Sequence, residues 1–283
     1  LYKSSEGPTF IALNHAHNAT ASVYVIVSIF ALSFLLHSAK KLKIIYGLIL
    51  ILNLFGLVIT KSRGGLIAFV AGALIVIWFY YKSFLKFIIT TLALGVLSIP
   101  LIIVTDSHHR FIALLDPTTW AIKTRIVLWE KAWNLFTQSP FFGVGFARYN
   151  DVNSISAERL IGFPEIADFF IESNFDFSAG HAHNSYLQFL SETGIIGISL
   201  LVLFWILCFI KIKKGYNSTN DDFSKKMFLA TLGSIVVLFV LALTENFFSA
   251  TTVMMCMSMI VSLSIGLYWQ ESMQKNLDLK SDT

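Results

Sequence analysis

Seven stretches of this chain contain no Asp, Glu, Lys or Arg over at least 17 residues: 7–39, 44–60, 64–81, 87–105, 193–210, 227–244 and 246–270. A helix rises 1.5 Å per residue, so about 20 apolar residues cross the ~30 Å hydrocarbon layer of a bilayer. Backbone in lipid must satisfy its own hydrogen bonds, and the alternating pattern of a barrel strand is absent. The stretches are therefore expected to be transmembrane helices. The front of the first run is polar (Asn14, His15, His17, Asn18), so only its second half, about 19–37, is expected in lipid. Charged residues make up 13% of the chain, about half the share of a soluble domain.

The expected fold is all-α, a polytopic membrane bundle of about seven transmembrane helices with a helical loop outside the membrane. Residues 1–105 would hold an N-terminal segment and four spans, 106–184 the loop domain, 185–270 three further spans and 271–283 a tail. Cys208 and Cys256 fall inside spans and offer neither a disulfide nor a metal framework. The chain begins at Leu1 within a polar stretch. It reads as the C-terminal part of a longer protein with further spans upstream. Neither a cofactor nor a nucleic-acid partner is expected.

Basic residues orient the bundle. The segments near 37–43, 82–86, 211–226 and 270–283 share one side and carry twelve lysines in about 42 residues. The other side carries nine cations in roughly 105 residues, so the lysine-dense side is expected to be cytoplasmic. All five arginines, Arg63, Arg110, Arg125, Arg148 and Arg159, fall on the outer side, where acids outnumber cations by twelve to nine. They are no solubilising excess. Either they contact lipid headgroups, or their planar forks grip phosphate or carboxylate.

The outer loop carries most of the candidate chemistry. Asp116-Pro117-Thr118-Thr119 signals a helix start, with Thr118 or Thr119 as cap. Ile122, Ile126, Trp129, Trp133 and Phe136 then recur at helical spacing, giving an amphipathic helix of about 119–138 stopped by Ser139-Pro140. Its aromatic stripe is expected on the bilayer surface or the bundle, holding Arg125 near the headgroups. In Gly143-Val144-Gly145, ahead of Arg148, the glycines permit tight turning, and an exposed backbone there could approach a phosphate. His181-Ala182-His183-Asn184 stands just before the fifth span, with Glu192 and Gly194 further on. Histidine suits proton transfer near neutral pH, although a pair of interfacial histidines could simply make ordinary hydrogen bonds. His15 and His17 repeat the tetrapeptide on the same side, so four histidines are a rival zinc set; no carboxylate cluster is evident to join them. Arg63 lies at the outer turn between the second and third spans, where Gly64 and Gly65 would serve the turn. It either snorkels or holds a functional charge at membrane depth.

Four elements in order resemble the O-antigen ligase/polymerase superfamily of bacterial envelope glycosyltransferases. They are Ser62-Arg63-Gly64, Thr124-Arg125 with Trp129 and Ala132, Ser139-Pro140 with Gly143 and Gly145, and His183-Asn184 with Leu187, Gln188, Glu192 and Gly194. The resemblance runs from about residue 60 to 200. It implies an architecture similar to C-type membrane glycosyltransferases and location in a bacterial inner membrane with the active site facing the periplasm. It also implies transfer of glycan from undecaprenyl pyrophosphate to an acceptor sugar, on lipid A-core or another glycan, without a metal and with inversion. On that pattern His183 takes the acceptor's proton with His181 secondary, and Arg63, Arg125 and Arg148 hold the pyrophosphate. Asn184 and Glu192 are expected to support them. Protein O-oligosaccharyl transfer belongs to the same chemistry. A polysaccharide transporter or flippase, which calls for broken helices or charges in mid-span, fits the clean apolar runs less well. A non-catalytic scaffold would tolerate loss of the histidines and arginines.

Overall fold

The computed structural model describes residues 2–4, 7–9, 17–92, 120–149 and 181–281. Tyr2–Ser4 and Gly7–Thr9 pair as a short antiparallel hairpin, β1 and β2, and everything else regular among the described residues is helical. The helices are α1 (His17–His37), α2 (Lys40–Ile59), α3 (Arg63–Tyr81), α4 (Trp120–Gln138), α5 (Ser185–Ser218), α6 (Asp222–Leu241) and α7 (Thr251–Ser281). Six of them, all but α4, are long and apolar enough to cross a membrane, which makes this a multi-pass membrane protein. The expected fourth span, 87–105, is helical up to residue 92 and then leaves the described residues. His15, the side chain of His17, the caps Thr118 and Thr119, and Arg110 and Arg159 also lie outside them.

Contacts divide the chain into two units. The first comprises Leu1–Ser107, Trp205–Leu241 and Thr251–Thr283, and α6 is its centre. In its most apolar window 72% of α6 is buried, against 6% for α2, whose large side chains are left to lipid. Lipid tails are as apolar as leucine, so small residues and short hydrogen bonds bring these helices together. At the crossing of α3 and α6, a Cβ on Gly72 would lie 2.5 Å from Val237 Cγ2 and 3.0 Å from the Gly233 carbonyl. Ser33 donates to the Lys226 carbonyl at 2.8 Å, and the Thr231 and Ser264 hydroxyls pair at 2.7 Å.

The turn into α3 differs from expectation. Its left-handed residue is Lys61 (φ +57°), while Gly65 is already helical. Gly65 answers to packing instead: a Cβ there would come within 2.9 Å of Leu57 and 3.1 Å of Ala21. Ser62 caps α3, accepting from the Gly65 amide at 3.2 Å and donating to Asn18 Oδ1 at 2.7 Å. Arg63 is thereby placed in the first turn of α3, half-buried. The second unit, His108–Phe204 with Ala242–Ala250, holds the histidine pair.

Candidate active site

The second unit is assembled around the face of α4 opposite its aromatics. Val127, Leu128, Ala132 and Leu135 are buried, and Ala132 and Leu135 pack with Tyr149, Ala182, Val144 and Leu187. Trp133 is left exposed. Tyr149 fastens this core: its hydroxyl donates to the Leu128 carbonyl at 2.8 Å, and the buried Lys131 ammonium stands 4.6 Å from its ring centroid. Burial, and then the charge of Glu192, push the Tyr149 phenol up, so it remains a neutral donor.

From Tyr149 a chain of polar contacts leads to the histidines. Glu192, almost wholly buried, accepts from the Tyr149 amide at 3.3 Å and from Gln188 Nε2 at 3.2 Å. Gln188 Oε1 in turn accepts from the Ala182 amide at 3.1 Å, between the two histidines. Glu192 thus reaches the histidine segment through Gln188. Asn184 caps α5, its Oδ1 accepting from the amides of Tyr186 and Leu187 at 3.0 and 3.1 Å.

The histidine segment is not extended. His183 has φ +44°, a left-handed conformation uncommon outside glycine. It folds the backbone so that the His183 amide donates to His181 Nδ1 at 3.2 Å and the two rings lie 4.1 Å apart. Both face a carboxylate. His183 Nδ1 is 3.0 Å from Glu245 Oε2, and His181 Nε2 is 3.7 Å from the same oxygen. When Glu245 is ionised it can only accept, which puts the His183 proton on Nδ1 and leaves Nε2 as the basic nitrogen. Burial and the neighbouring His183 lower the pKa of His181, against the pull of Glu245.

Glu245 is the residue that sequence reasoning missed: the sequence shows no carboxylate cluster beside the histidines, and the fold brings a single carboxylate, Glu245, against both. It is one acid between the charge-free runs 227–244 and 246–270, in the turn between two spans. A lone carboxylate at a span boundary is itself a signal, because it is kept where charge is costly. Ser185, fully buried, holds the turn: it donates to the Glu245 carbonyl at 2.7 Å and accepts from the Phe247 amide at 2.7 Å. The Ser185 amide donates to the Ala242 carbonyl at 2.8 Å.

The Gly143–Gly145 segment does not present a free backbone to a phosphate. The Gly143 amide donates to Ser139 O at 2.8 Å, Val144 to Ser191 O at 3.0 Å and Gly145 to Glu192 O at 3.0 Å. Both glycines have positive φ, and a Cβ at Gly143 would overlap the Glu192 carbonyl. Gly194 (φ +66°) breaks α5 beside this segment, and a Cβ there would overlap the Phe141 carbonyl. The break is closed from outside the helix: the Ile195 amide donates to Pro140 O at 2.9 Å and that of Ile196 to Phe141 O at 3.4 Å. Arg148 follows the turn, exposed, with its aliphatic stem over Gly145. Arg125 is half-buried on α4, and Arg63 belongs to the first unit.

A family model described as O-antigen ligase matches residues 48–202, more than half of the chain. The exopolysaccharide production protein ExoQ of Rhizobium meliloti (strain 1021) is similar, 32% identical over 121 residues. That match takes in 43% of this chain and 25% of ExoQ, so the chain spans about a quarter of that relative's length. The matched family region includes both histidines and Glu192 and stops short of Glu245.

Proposed function

We propose that this chain, which belongs to the O-antigen ligase family, moves glycan from an undecaprenyl-pyrophosphate donor to an acceptor sugar at the periplasmic face of a bacterial inner membrane. A membrane protein of glycan processing acting outside the cytoplasm meets no nucleotide sugars, which favours a lipid-borne donor. The observation that carries the reading is the 3.0 Å contact between His183 Nδ1 and Glu245 Oε2. A base oriented on one ring nitrogen by a carboxylate, which leaves the other as the basic nitrogen, is the arrangement that activates a hydroxyl.

In this mechanism the acceptor oxygen attacks the anomeric carbon while His183 Nε2 takes its proton. The bond from that carbon to the pyrophosphate oxygen breaks, and undecaprenyl pyrophosphate leaves with the electron pair. One displacement inverts the centre and needs no carboxylate pair of the glycosidase kind. Arg63, Arg125 and Arg148 are assigned to the pyrophosphate, where guanidinium groups offset the charge that develops on the leaving group. His181 orients the acceptor. Asn184 starts α5 at the base, and Glu192 holds the segment through Gln188. The acceptor is lipid A-core or a second lipid-linked glycan; the protein-glycosylating variant uses the same step.

The glycan ladder of a deletion strain complemented with the full-length protein tests this. Loss of all long glycan from lipid A-core, with lipid-linked polymer accumulating, identifies a ligase; a single repeat left on the core identifies a polymerase. An unchanged ladder in the deletion strain would overturn the assignment.

One observation favours a second reading. Ligand atoms of His181, His183 and Glu245 lie within 4.8 Å of one another. Two imidazoles and a carboxylate are a common zinc set, and ligands on a tetrahedral zinc stand about 3.3 Å apart at bond lengths near 2.0 Å. The base reading expects purified full-length enzyme to keep its transfer activity in excess chelator. Activity lost to chelator and restored by zinc would recast the three side chains as ligands.

A further inference from the structure

A run from Ala132 to Ala147 carries no charge, and its turn exposes aromatics that nothing in the catalytic reading employs. Phe141 is 65% exposed, Phe142 74%, Phe146 62% and Trp133 54%. Four large exposed aromatics within one uncharged run mark a surface that is covered by something. What covers it follows from the register of the turn on α5. Gly194 breaks α5, and the part beyond it, residues 195–218, is about 36 Å long, more than hydrocarbon requires, so only part of it crosses. Its charge-free part, 193–210, measures about 27 Å and ends at Lys211, Lys213 and Lys214. Residues 195 and 196 therefore stand at one edge of the hydrocarbon, and Ile195 and Ile196 are themselves exposed. Pro140 and Phe141 are hydrogen-bonded to those two residues, which puts the turn at the same depth.

The backbone of the turn suits that depth. Irregular chain at a membrane boundary is stable only when protein satisfies its amides. The amides of Gly143, Val144 and Gly145 are all taken by the carbonyls of Ser139, Ser191 and Glu192. We propose that the Pro140–Phe146 turn is a membrane-inserted wedge whose Phe141, Phe142 and Phe146 rings, together with Trp133, occupy the headgroup–acyl boundary of the phospholipid bilayer. Aromatic rings favour that layer because it accommodates an apolar body beside water. The same hydrogen bonds fasten the wedge to Ser191 and Glu192, so lipid contact sets the depth of the helix that carries the histidine segment. The wedge holds whatever reaction the site performs.

Spin-label accessibility tests it. The full-length protein with Cys208→Ser, Cys256→Ser and Phe142→Cys is labelled with a nitroxide and reconstituted in phosphatidylethanolamine–phosphatidylglycerol vesicles. Leu200→Cys serves as the lipid-facing reference and Asn220→Cys as the aqueous one. Collisions at 142 are expected to be more frequent with oxygen than with a water-soluble nickel complex, as at 200. Nickel access equal to that at 220 would overturn the wedge, and so would low access to both, which would mean that protein covers the turn. Phe146→Cys carries the same test if the label at 142 prevents reconstitution.

Discussion

A histidine held on one ring nitrogen by a carboxylate keeps a single tautomer, and His183 Nδ1 stands 3.0 Å from Glu245 Oε2 in that way. The histidine pair was legible in the sequence, because two imidazoles at a span boundary are a small set of side chains suited to neutral-pH proton transfer. Glu245 was not, because nothing local links residue 245 to 183; only the return of the chain through α6 does. The arginines test a different part of the mechanism. Arg63→Lys keeps the charge at the start of α3 but loses the planar fork, and a lysine ammonium cannot make two parallel hydrogen bonds to a pyrophosphate. We expect transfer by this variant to fall roughly 10²-fold at equal membrane abundance. Near-normal transfer would mean that Arg63 only snorkels.

Among the elements, spans and loop helix were readable because lipid and helical periodicity each impose a pattern on sequence. The glycines were readable as special but not as to why. Gly143 and Gly145 read as a backbone able to approach an anion, whereas the Gly145 amide is spent on Glu192 of α5 and that of Gly143 on Ser139, and the absent side chain of Gly143 admits the Glu192 carbonyl. Positive φ and close approach leave the same letter in a sequence. Gly143→Ala therefore strains the backbone and overlaps Glu192, and is expected to cost about 1–3 kcal/mol or more. It should lower thermal stability in detergent and transfer together. Gly266→Ala in α7, where a Cβ meets nothing within 4 Å, should be neutral or stabilising. Equal behaviour of the two variants would mean that the close approach of Gly143 to Glu192 does not hold the turn.

For the whole molecule, the lysine asymmetry predicts that the loop 106–184 faces the periplasm and the segment 211–226 the cytoplasm. In a background lacking Cys208 and Cys256, Asn153→Cys should react with an impermeant thiol reagent in intact spheroplasts and Ser218→Cys should not. Labelling of 218 alone would invert the topology. The two compact units were not foreseeable from sequence: the second joins His108–Phe204, which takes in the first part of α5, with the short Ala242–Ala250 turn, segments far apart in the chain. Charge-free runs delimit spans, and they carry no record of which turn closes over which loop.

The mechanism turns on His183 as the proton acceptor for glycan transfer. Its most direct test is single-turnover transfer by the full-length protein in proteoliposomes loaded with lipid-linked donor, comparing wild type with His183→Gln. Glutamine keeps hydrogen-bonding capacity and cannot take a proton at neutral pH. Donor binding and membrane abundance should be unchanged in the variant, with transfer down by about 10²–10⁴. A glutamine variant that transfers glycan at close to the wild-type rate would contradict this role for His183.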